Sequence, residues 1–340
     1  MTPAHTQLSG LTRRRTLHSA CATAVALLGL ASGRSVQAQN TLTLSRIVCS
    51  GPAGSIPDIV ARRVAEQLTR QNPPGAMVDN RPGAAGQIAV NALKASLPDG
   101  ATILLAQGAV ATVYPFLYPK LAYDPVLDLQ PLSMAGEMTL ALAVGPAVPA
   151  AVGTVQELVD WMRRNPNLAN VASPGTGTLP HLLEVMLFRE ANVSWQHVAY
   201  AGGPPALVDL LGGQIAALVL PEGLFRQHSA TGKLRVLATS GALRSTYFPD
   251  VATVVEQGYR NLIVREWFAF FAPARVPPAT MDLLSLALRQ AIAQPALIAA
   301  FADSGMLAVS STPAALASRI AQEQRYWQPI IAATGVRADQ

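Results

Sequence analysis

The chain has 340 residues, half of them apolar and 13% charged, which suffices for a sizeable core and excludes a disordered or acidic-tail protein. Its formal charge of +5 does not mark a nucleic-acid binder. Residues 1–38 hold Arg13, Arg14, Arg15 and Arg34 and no acid, leaving 21 basic against 20 acidic residues over the rest, so no electrostatic footprint for nucleic acid remains.

Residues 1–38 read as an export signal. Arg13-Arg14-Arg15 with Thr16-Leu17 forms a basic start, 20–32 a short apolar stretch, and Val36-Gln37-Ala38 a small-x-small cleavage site. The mature chain is therefore expected to begin near Gln39 and to be periplasmic. The apolar stretch is shorter than the about 20 residues that span a bilayer. The arginines fit a twin-arginine signal as well as a Sec signal, and both readings stay open. Beyond the cleavage site Cys49 is the sole cysteine, so no intramolecular disulfide forms. In its strand-like run it reads as a small buried apolar residue.

Short β-like runs then alternate with helical patterns. Strands are predicted over 43–49, 76–78, 102–106, 170–172, 195–199, 215–220 and 234–239. Helices are predicted over 58–69, 87–95, 155–164, 182–191, 206–211, 279–293 and 314–333. The alternation argues for an α/β fold with parallel sheets. The apolar runs 140–144 and 267–272, each followed by a proline-bearing stretch, fit connectors crossing between domains; two further buried strands are the alternative.

The loops that open onto helices carry the chemistry. Residues 173–181 read SPGTGTLPH: glycines free to adopt conformations closed to other residues, hydroxyls, then Thr178 as a helix cap with Pro180 in the first turn. A helix start presents unpaired N–H groups and a positive dipole end, which suits an anion. Residues 51–58 (GPAGSIPD) and 200–205 (YAGGPP) repeat the arrangement, glycine then proline between a strand and a helix. In open α/β sheets such strand ends face one crevice; Gln107 and Gly108, after another strand, fit the same crevice. Backbone N–H groups and hydroxyls suit a small carboxylate or a phosphate, and no Gly-Lys-Ser/Thr follows any of these loops.

Constellations for catalysis are missing from the pattern. His181, His197 and His228 lack metal-ligand spacing, no G-x-S-x-G elbow occurs, and Asp303-Ser304-Gly305 reads as a helix end. No cofactor and no metal are expected. His181, beside the third loop, either orients that loop or meets the ligand.

Several stretches together resemble one family. PAGSIPDIVARRVAEQL, DNRPGAAGQIAVNAL, PDGATILLAQG, YDPVLDLQPLS, SPGTGTLPHL, GGPPALVDLLGGQI and GKLRVLATSGALRS, in this order and spacing from about Ile47 to Gly335, are similar to the substrate-binding proteins of tripartite tricarboxylate transporters, the Bug receptors. The resemblance implies a type II periplasmic binding-protein fold of two α/β lobes joined by crossing strands, here 39–142 plus 263–340 as lobe 1 and 143–262 as lobe 2. It implies a small organic carboxylate clamped by backbone amides, hydroxyls and bridging water. The implied ligand-binding residues are Gly51, Ala53, Gly54, Ser55 and Asp58 on one side and Ser173, Thr176, Gly177, Thr178 and His181 on the other, with Gln107, Gly108, Gly202 and Gly203 beside them. It implies a monomer that hands its ligand to membrane permease subunits, and no enzyme. A sensory or orphan receptor is the alternative within the binding class; an exported α/β enzyme is disfavoured by the missing constellations.

The chain departs from the family's pattern at Ala53, Asp58, Ala201, Ala216 and Leu220, which removes charge from the second-lobe wall. With no acid evident to receive an ammonium, the expected ligand is an unsubstituted or apolar-tailed carboxylate rather than an amino acid. Asp58 and Glu222 are the acids whose pairing with an ammonium would overturn this.

Overall fold

The computed structural model describes residues 44–71, 73–260 and 262–338; the export signal predicted over 1–38 lies outside the described residues. Strand β1 (Arg46–Cys49) leads into helix α1 (Ile56–Gln71), followed by β2 (Met77–Asn80), α2 (Gln87–Lys94) and β3 (Thr102–Gln107). A long strand, β4 (Leu129–Val144), precedes α3 (Val155–Arg164), β5 (Asn170–Ser173), α4 (Leu179–Glu190), β6 (Gln196–Ala199), α5 (Gly203–Leu211), β7 (Ala217–Pro221) and β8 (Arg235–Thr239). The chain ends in β9 (Arg265–Pro273), α6 (Pro278–Ile292), α7 (Pro295–Asp303), β10 (Leu307–Ala308) and α8 (Pro313–Thr334). The structure is mixed α/β, as the alternation predicts.

The sheet is mixed rather than parallel. Its order is β2-β1-β3-β9-β4-β7-β5-β6, with β8 and β10 also on β4. Neighbours within each βα run, β1 with β2 and β3, β5 with β6 and β7, are parallel. Strands β4 and β9 are antiparallel to their partners, which the alternation of short elements did not reveal. Strand β4 takes part in both ladders: 129–139 pair with β9, and Leu140–Val144 pair with β7 and β8. Of the two predicted connectors, 140–144 is therefore the far end of one continuous strand. The run 267–272 is the middle of β9, paired with β3 and β4. The chain returns towards β9 through Ser240, whose hydroxyl accepts from Leu140 N and donates to the carbonyl of Val264, whose own N–H meets Ser240 O.

Period-2 alternation sends successive side chains of each strand to opposite faces, so the strands are apolar on both. In β1, Ile47 and Cys49 enter a core with Val60, Val64 and Leu68 of α1 and Leu288 of α6, while Val48 enters the opposite core. In β4, Leu140, Leu142 and Val144 share that opposite core with Trp267, Phe271 and Phe188, while Ala141 and Ala143 pack against Leu210 of α5. One core thus runs continuously along both ladders. Cys49 is fully buried and its thiol is pushed up to about 12 by burial, an inert apolar residue as the sequence suggests.

The turn after β7 touches the turn after α7 backbone to backbone. A Cβ on Gly223 would lie 1.7 Å from Ser304 O, and one on Gly305 2.7 Å from Gly223 Cα. Gly223→Ala must displace main chain and is expected to cost about 1–3 kcal/mol, seen by calorimetry as a lower Tm; an unchanged Tm would show that this contact is not made.

Candidate functional site

Four loops line a cavity of about 350 Å3. Three are the strand–loop–helix junctions singled out in the sequence; the fourth is the Pro82–Gln87 turn between β2 and α2. Gln107, Tyr118, Leu220, Leu224, Glu266 and Phe268 are also in the wall, and among the described residues no lysine or arginine lines it.

The first loop is tied down by Asp58, in the first turn of α1. Its carboxylate accepts from Gly54 N at 3.0 Å, Arg62 Nε at 3.1 Å and Asn80 Nδ2 at 2.9 Å, and Asn80 also donates to Gly51 O at 2.9 Å. Burial raises the Asp58 pKa, but these donors outweigh it and hold the carboxyl below the usual carboxylate range. Asp58 is thus spent within the loop. Gly51 is needed because a Cβ there would lie 2.3 Å from Ser55 Oγ. Gly51 and Ser55 face the cavity; Ala53 and Gly54 are exposed outside its wall, so the alanine at 53 does not narrow the site.

The Pro82–Gln87 turn is backbone-strained. Gly83, Ala84, Ala85 and Gly86 take φ of 115°, 43°, 51° and 92°, and two alanines in the left-handed region are unfavourable by about 1–2 kcal/mol each. The carbonyl of Ala85 is held by Gln107 Nε2 and by the Tyr114 hydroxyl at 2.7 Å. Strain held by a surrounding network marks ligand clamps. Gln87, at the start of α2, is 3% exposed and lines the cavity; beside the Tyr118 hydroxyl, its Nε2 makes no well-formed hydrogen bond among the described residues. A buried amide donor without an acceptor is costly, unless a ligand supplies one. The sequence pattern NRPGAAG was evident; its place in the wall was not, because nothing local signals left-handed alanines.

In the third loop Thr178 occupies the N-cap of α4, but its hydroxyl does not cap the helix. It donates instead to Gly175 O at 2.7 Å, as Ser173 Oγ does at 3.1 Å. His181, in the first turn, reaches back past the N-cap: its Nδ1 accepts from Gly177 N at 3.1 Å. His181 therefore orients the loop and lies off the cavity wall. It stacks on His197 at 3.9 Å, and the His197 Nε2 is 2.8 Å from Ser173 Oγ. Burial, and for His181 also its neighbour His197, pushes these imidazoles down to about 3 and about 4, so both are neutral. Ser173 is fully buried and off the wall, so this serine–histidine pair faces no substrate. Thr176 and Thr178 line the cavity; Gly177 supports it, since a Cβ there would meet Leu117 at 2.2 Å.

Gly202 and Gly203 line the cavity from the start of α5, with Ala201 and Leu220 beside them. Ala216 is buried away from it, its N–H bonded to Asn170. A Cβ on Gly202 would lie 2.7 Å from Pro52, and the Tyr118 hydroxyl donates to Thr176 O at 2.9 Å. Both contacts join residues that line the cavity from different loops. Gly108 lies behind the wall, where only a bare backbone fits under the Trp267 indole, 2.1 Å from an added Cβ. Glu222 is buried outside the lining. The expectation that no acid awaits an ammonium needs correction: Glu266, 3% exposed, is in the wall.

Residues 60–336 match the family described as Tripartite tricarboxylate transporter family receptor. Protein BugT of Bordetella pertussis (strain Tohama I) is 32% identical over 314 residues, 92% of this chain and 95% of that one. The solved periplasmic binding protein BugD is 26% identical, with a TM-score of 0.82 over 87% of this chain and 98% of its own. MatC from Rhodopseudomonas palustris, solved with bound malate, is 24% identical, with a TM-score of 0.78 over 85% and 98%, and shares the fold.

Two buried neutral histidines make the fold acid-sensitive. Their folded pKa values lie below the unfolded 6.5, so the unfolded chain binds more protons and stability falls as pH drops from 6.5 towards about 3. In His181→Gln with His197→Gln, Tm followed against pH should fall less steeply over this window; an unchanged slope would contradict the assignment.

Proposed function

The chain belongs to the tripartite tricarboxylate transporter receptor family, and from that premise we propose that it captures a small organic carboxylate in the periplasm and delivers it to membrane permease subunits. Its two lobes are 39–142 with 263–340, and 143–262. The observation that carries the ligand class is the cavity's composition: helix starts from both ladders converge on it, and among the described residues no lysine or arginine lines it. Such a wall neutralises an anion with N–H groups, hydroxyls and dipole ends, and Gln87 Nε2, beside the Tyr118 hydroxyl, is a buried donor without a well-formed bond among the described residues. Ile56, Leu220, Leu224 and Phe268 offer apolar surface to the ligand's hydrocarbon part.

The ligand is expected to sit under the contacts between Tyr118 and Thr176 and between Gly202 and Pro52. Opening the lobes breaks both, which couples occupancy to shape, a hinge transition that a permease can read. The ligand leaves unchanged in this reading: the serine–histidine pair at Ser173 is turned away from the cavity, and no residue in the wall is an activated nucleophile.

The test is a thermal-shift panel of the exported form, from Gln39 on, against mono-, di- and tricarboxylates and amino acids. A ligand at about 100 times its Kd adds roughly 2.7 kcal/mol of stability. Gln87→Leu is expected to weaken the best carboxylate by about tenfold or more, the worth of a hydrogen bond to a charged group, and to leave the unliganded Tm at or above wild type. A flat panel with a folded protein, or a Gln87→Leu variant that binds normally, would contradict the proposal.

A further inference from the structure

Glu266 is the acid in a wall that has no basic residue among the described residues. Strand alternation puts it on the side of Phe268, and both line the cavity. Its Oε1 accepts from Trp267 N at 3.2 Å; the second oxygen has no protein partner among the described residues.

The charges around it are already balanced. Arg265, next along β9, bonds Glu137 of β4 at 2.8 Å, and Arg319 of α8 bonds Glu137 at 3.0 Å and Glu323 at 2.9 Å. Glu323 also accepts from the Trp267 indole. Two cations thus serve Glu137 and Glu323 and leave none for Glu266. The other titratable group facing it is Tyr114, which burial keeps as a neutral phenol; Gln107 on β3, the other strand beside β9, carries no charge. An ionised Glu266 would be a buried charge without a counterion, which costs several kcal/mol. Burial above all, then the charge of Glu323, accordingly pushes its carboxyl up to about 8. With Oε1 accepting, the proton belongs on the oxygen left free.

On the carboxylate-receptor reading, we propose that Glu266 is a specificity-determining ligand contact, a neutral carboxylic acid that donates its proton in a hydrogen bond to an oxygen of the bound carboxylate. The ligand class follows: organic carboxylates without an ammonium. An O–H···O⁻ bond is among the short, strong ones. A ligand ammonium would instead need Glu266 ionised, so the two ligand classes have opposite pH dependence.

The experiment titrates malate and adipate as carboxylate probes, and aspartate as the ammonium-bearing one, by calorimetry from below to above pH 8. Whichever carboxylate binds should lose affinity above about 8, tenfold per pH unit for one proton. Glu266→Gln, whose amide still donates, should bind it with a flat pH profile; Glu266→Leu should also be flat, weaker than Glu266→Gln at every pH and weaker than wild type below about 8, with the unliganded Tm retained. Independently of any ligand, the infrared difference between wild type and Glu266→Gln at neutral pH should show a protonated-carboxyl stretch. A flat wild-type profile, no such band, or aspartate binding that tightens with pH and vanishes in Glu266→Gln would overturn the proposal while leaving a receptor in place. Failure of every probe to bind, with the band present, would count against the carboxylate reading itself and take this assignment with it.

Discussion

Strand β4 is the constraint on which the rest of the structure depends. It pairs with β9 along 129–139 and with β7 and β8 along its last five residues, so both ladders inherit their position from one backbone. The side chains of Leu140, Leu142 and Val144 put it in a core shared with β9 and with α4. The loops after β1, β2, β5 and β6 can therefore meet at one cavity although they are far apart in the chain. Three of the helix starts there are shaped by sequence-local means, a glycine at the turn and a proline in the first helical turn, and β4 is what brings them together.

The cavity then poses an electrostatic question that its wall answers without cations. Potentially disruptive charges are consumed nearby: Asp58 by Arg62, Asn80 and a loop amide, Glu137 and Glu323 by Arg265 and Arg319. His181 and His197 are kept neutral, the first accepting from a loop N–H and the two stacked on each other. What remains in the wall is a set of neutral donors, hydroxyls and apolar side chains.

Much of this was legible in the sequence. The βα junctions at 51–58, 173–181 and 200–205 are local chemistry, and each lines the cavity. Helix 155–164 and the strands before each loop follow from periodicity. What failed to show depends on long-range pairing. The first part of β4 was missed because Pro131 and Gly136 interrupt its pattern; the register shifts at both places absorb them as bulges. The antiparallel pairing of β9 could not be read from composition, and with it went the placement of Glu266, although its alternation with Phe268 was visible. Thr178 reads as a side-chain cap and is not one, because its hydroxyl donates to Gly175 O within the loop. Ala84 and Ala85 give no hint of a left-handed turn; the distant Gln107 and Tyr114 side chains hold it by the Ala85 carbonyl, beside the turn's own Gly86 N–H to Gly83 O bond.

The central claim is that an anion is held here by neutral donors from both ladders. The most direct measurement is a crystal structure of the protein with its tightest-binding carboxylate. The account predicts carboxylate oxygens within hydrogen-bond distance of Gln87 Nε2 and of the main-chain N–H groups of the lining loops, with no lysine or arginine in contact. A ligand paired to a basic side chain, such as Arg62 swung in from the first loop, or a ligand bound outside this cavity, would contradict it.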